Sequence, residues 1–417
     1  MKGPTQNLTA PGSIDSEFGF LGSFSDFRTG TLLMSIAGLR PRGEILFVGT
    51  HLENNQLSFQ LAQLTNLGRL DPSFGPDGTG SLLGVFKTGS EATATGAQIL
   101  KDGKILLAGH HRSFAGESRI ALARFLENGA PDESFGNKGS VILPRLTDAP
   151  PNLPQDHLST LRNRRTLLSH PRSNIVVDPD EKIIIGQNAL LLRLEKNGEI
   201  DHSFNQTGHL NPNTVINAVA VSADRKITIA GVDSEGANLA RFNVDGSPDL
   251  DFGHGGRTSF GVGYPSAAIS LSLHDDGRIF ATGVSDMDPG DIWGAGLRGL
   301  LAAFTANGRL DPAFNNGAPL VSDFGITDGM GWFDIGGTPD EIVVVGYAGL
   351  LSRESGLIAR YLANGNLDTT FGNGSGYVRR FFPGSRGVWE SVIVQPDKGI
   401  VVTGDTPRNV VSRYLGT

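Results

Sequence analysis

Residues 68–75 read Gly-Arg-Leu-Asp-Pro-Ser-Phe-Gly. The same pattern, Gly-x-x-Asp-x-x-Phe-(Gly/Asn), returns at 12–19, 129–136, 198–205, 246–253, 308–315 and 365–372. Its aspartates are Asp15, Asp71, Asp132, Asp201, Asp249, Asp311 and Asp368. Successive ones lie 56, 61, 69, 48, 62 and 57 residues apart. A recurring module of this size builds a ring or array of small units rather than one mixed core.

Working outward from the motif, each unit carries the same punctuation. An apolar run meets a polar turn, and a β-branched run then closes on glycine, as in GAQILKDG followed by KILLAG. Short runs rich in Ile and Val between turn residues read as strands. Asp102-Gly103 and Asp276-Gly277 mark tight hairpins, because such turns need positive φ. A third strand (IALARFLENG, GLIARYLANG) leads into the motif and a fourth follows it. The fold class read from this is all-β: a seven-bladed β-propeller with four antiparallel strands per blade. The inner strands are expected at SIAGLR, GAQIL, NIVVD, NAVAVS, AISLSL, the stretch near GMGWFDI, and ESVIVQ.

The ends of the chain predict how the ring closes. The first motif, GSIDSEFG, precedes any complete unit, and VVSRYLGT ends on a third strand. The N-terminal strand is therefore expected to complete the C-terminal blade, which also removes exposed sheet edges. One propeller domain is expected over 1–417, with 1–28 as the closing segment and 145–172 as an inserted loop or lid.

Arginines sit eight residues before the motif aspartate at Arg124, Arg193, Arg241 and Arg360; Gln63 and Ala303 depart. Arg413 holds the same strand position, so its partner should be Asp15 from the other terminus. A group repeated in every blade, as the motif aspartate is, serves the blade, whereas a catalytic site needs residues that differ around the ring. The motif phenylalanines are expected as wedges between blades. Glycine at Asp−3, and Gly or Asn at Asp+4, point to positive φ at the latter position.

Composition bounds the function. The net charge of −8 argues against a nucleic-acid binder. With no cysteine there is no disulfide framework, thiolate metal site or cysteine nucleophile. MKGPTQNLTAPGS lacks the apolar core of a secretory signal, and no apolar run is long enough to span a membrane. The expectation is a soluble monomer, cytoplasmic or exported without a Sec signal. Nucleophile elbows, P-loops, dinucleotide fingerprints, sialidase boxes and WD or kelch signatures are all missing.

The motif GxLDxSFGxxG, joined to DGKIxxAG and LARF/Y-x-x-(N/D)G, resembles the bacterial delta-60 repeat family over about residues 12–417. The resemblance implies a propeller with the blade order of NHL-type propellers and no assigned chemistry.

Site residues on such a scaffold concentrate in loops. Three segments interrupt the repeat on the face shared by the crossover loops and the second-to-third-strand loops. The first, 145–172, carries His157, Arg162, Arg164 and Arg165, and is expected as a solvated insertion or an anion-binding flap. The second, 284–298, carries Asp286, Asp288, Asp291, Trp293 and Arg298. Its acids resemble part of a calcium loop without the closing glutamate, and Trp293 could stack on a sugar or pack in the loop. The third groups His51 and Glu53 with His110, His111 and Arg112; adjacent histidines on a strand point apart and do not readily share one metal. No cofactor is expected: calcium is the ion that the acids of 284–298 resemble a site for, and nine histidines without a metal-binding spacing argue against zinc. Three readings follow: a non-enzymatic scaffold binding a protein or glycan on the loop-bearing face, a hydrolase or lyase pairing His110 or His157 with Asp286 or Asp288, and a purely structural arm.

Overall fold

The computed structural model describes residues 10–25, 27–146, 174–288, 295–350, 353–383, 385–406 and 409–417. Seven sheets of four antiparallel strands account for nearly all its regular structure. Blade 2 shows the plan: Glu91–Ile99, Ile105–Arg112, Ser118–Phe125 and Ser140–Ile142, hydrogen-bonded in that order. The first strands of all blades are Thr31–Leu39, Glu91–Ile99, Ile175–Val177, Val215–Val221, Ser266–Leu273, Met330–Gly337 and Ser391–Val394. They coincide with the expected inner strands. Each touches the first strand of the next blade, and Ser391–Val394 touches Thr31–Leu39, so the ring is closed.

Closure follows the expected exchange of termini. Ser391–Val394, Ile400–Thr403 and Val411–Tyr414 are completed by Ser23–Phe24, with Ser23 opposite Ser412 and Phe24 opposite Val411. Arg380, from blade 6, donates to Ser412 Oγ at 2.9 Å and to Ser23 Oγ at 3.3 Å, binding both sides of the seam.

The core is a set of inter-blade layers rather than one centre. All seven motif phenylalanines (Phe18, Phe74, Phe135, Phe204, Phe252, Phe314 and Phe371) are buried, each burial contributing roughly 1.5–3 kcal/mol. Their seats explain the motif glycine. A Cβ at Gly308 would lie 2.6 Å from the ring of Phe252 in the preceding blade, and one at Gly68 would lie 2.7 Å from Phe18. Six of the seven wedges lie this way against the motif glycine of the next blade, while a Cβ at Gly12 would meet Gly372 and Val378. The Asp+4 position has positive φ as expected, including Asn205 (47°) and Asn315 (44°).

The segment 145–172 lies, apart from its first two residues, outside the described residues, as do Asp291 and Trp293.

Candidate functional site

The repeated polar residues form a joint and leave little over for chemistry. Nε of Arg124, Arg193, Arg241 and Arg360 donates to the motif aspartate of its own blade at 2.6–2.7 Å. Nη1 of the same arginines reaches the next blade, donating to the carbonyls of Lys196, Val244, Ala306 and Gly416. Each guanidinium also lies 4.4–4.9 Å from the centre of its motif phenylalanine. Arg413 pairs with Asp15 across the termini. In blade 1, Gln63 donates to Asp71 at 2.8 Å, and Arg40 supplies the cation, donating to Gln63 Oε1 at 2.6 Å.

A second cation joins this joint from the start of the second strand. Lys104, Lys182 and Lys226 lie 3.3, 2.8 and 2.9 Å from Asp132, Asp201 and Asp249. Burial pushes the Asp132 and Asp201 carboxyls up. Hydrogen bonds from Ser134 and Arg124 to the first, and from Lys182, Ser203 and Arg193 to the second, outweigh it and hold both well below the usual range. Permanently ionised, multiply bonded carboxylates brace a fold and do not shuttle protons.

The opposite face carries the candidate residues. Antiparallel register places the second-to-third-strand loops beside the crossovers between blades, as in Glu91 opposite Arg112. His110, His111 and Arg112 end the second strand of blade 2 there. His110 is held low by burial, partly countered by its contact with Gln187 of blade 3. His111 is lowered by burial and by the nearby Lys87 and Arg119. Both are neutral at pH 7. Arg112 is exposed and lies 3.7 Å from Glu91. His51 occupies the position in blade 1 that His111 holds in blade 2, and it too is buried.

Asp286 and Asp288 sit three blades away, in blade 5. Asp286 is fully enclosed, whereas Asp288 is exposed. Arg298 turns back onto its own loop, donating to the carbonyls of Ala295 and Leu297 at 2.7 and 2.8 Å. The histidines of blade 2 and the acids of blade 5 are therefore not brought together. His157, Arg162, Arg164 and Arg165 lie outside the described residues. Among the described residues, no three His, Asp or Glu converge to hold a metal ion.

Sequence reading missed what stands out on this face. Phe114 in a blade 2 loop, Tyr264 in the crossover to blade 5 and Phe381 in the crossover to blade 7 are 75%, 44% and 65% exposed. Their signal was available: single aromatic residues inside polar, glycine-containing loops (RSFAGES, GVGYPS). Near the axis, Asp334 accepts from Ser270 Oγ at 2.8 Å and from the Val392 amide at 2.9 Å, so one carboxylate joins blades 5, 6 and 7.

A family model agrees with the architecture. The model for the domain of unknown function (DUF5122) beta-propeller matches residues 100–135, 222–252 and 338–371, which together make up less than half of the chain. Each stretch runs from a first turn to a motif phenylalanine. A comparison with curated proteins found no match. Among solved structures, Sqt1 from Chaetomium thermophilum is 11% identical, with 97% of this chain and 98% of that one covered and a TM-score of 0.46. YCF48 from Cyanidioschyzon merolae is 10% identical over 94% and 98%, with a TM-score of 0.46. Drosophila Semaphorin 1a, extracellular domains 1-2, is 9% identical over 95% and 88%, with a TM-score of 0.47. Among the described residues, no helix is long and apolar enough to cross a membrane.

Proposed function

We propose that this chain is a delta-60 repeat propeller that acts as a non-enzymatic binding scaffold, monomeric and without a resident metal, docking a partner protein on its loop-bearing face. The observation that carries this reading is the exposure of Phe114, Tyr264 and Phe381 at separate points of that one face. Exposed aromatic side chains bring large contact area at low entropic cost and anchor interfaces when covered. Support also comes from the joints: the repeated carboxylates and cations are consumed by inter-blade bonds, and His110 stands three blades from Asp286.

The test is a Phe114→Ser/Tyr264→Ser/Phe381→Ser variant compared with wild type in pull-downs and on a glycan array. The variant is expected to melt within about 2 °C of wild type, since surface substitutions cost little, and to lose the proteins that wild type retains. Undiminished retention by the triple variant sinks the reading. Loss confined to the array would move the partner class to glycans.

A further inference from the structure

The repeat offers an internal standard for unusual positions, and one lies on the face opposite the long loops. The residue that ends the first strand's run into its turn is polar in six blades: Arg40, Asp178, Ser222, His274, Thr338 and Gln395. In blade 2 it is Leu100. The consequence is visible by comparing neighbouring junctions. Arg40 spans the gap between blades 1 and 2, donating to the carbonyls of Gly103 at 2.9 Å and Glu127 at 2.8 Å. Leu100 can make no such bridge, and the cleft of about 400 Å³ between blades 2 and 3 is lined in part by apolar side chains, whereas the cleft of about 730 Å³ between blades 1 and 2 is lined by Arg40, Arg42, Glu44 and Glu127. The volume beside Leu100 lies at the lower end of the roughly 300–1,000 Å³ typical of small-molecule sites.

Three features define what the cleft would hold. Its floor is apolar, formed by Leu100, Leu106, Val177 and Ile183. In its wall Gln98 keeps its side-chain oxygen enclosed and without a hydrogen-bond partner, a state that folded proteins largely avoid and that a donor in the cleft would relieve once the amide turns toward it. At its mouth Lys101 forms no ion pair among the described residues. The other cations of the lining are committed: Arg124 and Lys104 to Asp132 at 2.7 and 3.3 Å, and Lys196 to Glu181 at 3.4 Å.

We infer that this cleft is a binding site for a small amphipathic molecule with an apolar body, one N–H or O–H donor and one anionic group. The body lies on Leu106, Val177 and Ile183, the donor meets Gln98 Oε1, and the anion meets Lys101. The site is independent of any partner on the loop-bearing face.

A suitable probe is 8-anilinonaphthalene-1-sulfonate, which has an aromatic body, an anilino N–H and a sulfonate. Titrated into the full chain, it should show saturable single-site fluorescence enhancement. Leu100→Arg, which restores the blade 1 arrangement, should abolish that enhancement. Gln98→Met, which keeps the side-chain length and removes the acceptor, should lower affinity about tenfold. Phe114→Ser, on the other face, should leave binding unchanged. Should Leu100→Arg fail to fold, as checked by melting, Gln98→Met carries the decision. Equal affinity in Gln98→Met and wild type overturns the proposal, as does loss of binding in Phe114→Ser or the absence of enhancement in wild type.

Discussion

At the residue scale, the joint arginine of blades 2, 3, 4 and 6 does three things at once, and the blades differ in what remains when a joint arginine is removed. Asp201 would keep Lys182 at 2.8 Å and Ser203 at 2.6 Å after loss of Arg193. Asp15 is also buried, but Gly399 stands in blade 7 where blades 2, 3 and 4 place a second cation. Arg413→Ala therefore leaves a buried carboxylate without its cation, at a cost of about 3 kcal/mol. It should destabilise the fold more than Arg193→Ala in urea melts; equal midpoints would refute the ranking. The joints also set the response to acid. Asp71, Asp132, Asp201, Asp249 and Asp368 are all held below the ordinary carboxylate value, hydrogen bonds and cations outweighing burial. A folded value below the unfolded one stabilises the protein above the unfolded pKa, and that stability is lost as pH falls through the folded value. Melting temperature should therefore hold down to about pH 5 and drop between about pH 4 and 2. Asp201→Asn should melt lower at pH 7 and lose less on acidification, a difference that calorimetry across this range would show.

At the scale of the element, the closing strand has only two residues, Ser23 and Phe24, yet it holds because others grip it. Ser23 Oγ and Ser412 Oγ lie 2.9 Å apart, and Arg380 donates to both. The chain has no cysteine, so Ser23→Cys/Ser412→Cys offers a single, unambiguous disulfide. Closing so long a loop should stabilise the oxidised form by up to about 5 kcal/mol, less the hydrogen bonds lost from Arg380. The expected result is a higher melting temperature that dithiothreitol reverses; no redox dependence would mean the seam does not limit stability. This element was legible in sequence because the motif aspartate and strand arginine count off at a constant separation, which leaves Arg413 and Asp15 each without a local partner. The inter-blade half of the joint was not legible. Its acceptors are backbone carbonyls of Lys196, Val244, Ala306 and Gly416, and no residue type marks a carbonyl. The Arg40 substitution in blade 1 was hidden for a related reason: the cation moved to a different strand, 23 residues from Gln63.

At the scale of the molecule, the ring divides its labour between faces. One face carries the joints, the other the variable loops, and the sequence distinguishes them because repetition marks the first and its interruption marks the second. What sequence could not supply was which interruptions share a neighbourhood. The histidines of blade 2 and the acids of blade 5 looked equally suited to one site until ring order set them three blades apart. The calcium reading of 284–298 meets a similar obstacle, since Asp286 is enclosed while Asp288 faces solvent. Adding millimolar calcium or EDTA should leave the melting temperature unchanged to within about 1 °C, because only a ligand bound by the folded state raises it. A calcium-dependent rise would return a metal to that loop.

The shared seventh blade also governs how the protein is made. Ser23 and Ser412 are 389 positions apart, so at a synthesis rate of 5–20 residues per second the first strand leaves the ribosome roughly 20 to 80 s before its partner exists. Six blades can pair locally as they emerge, but the strand at Ser23–Phe24 has nothing to receive it until Val411–Tyr414 has been made. During that wait the growing chain presents an open arc with an unpaired edge at its leading end, and such edges invite pairing with other chains. A nascent chain stalled before its last strands would thus be more prone to association than either its first few blades or the finished ring.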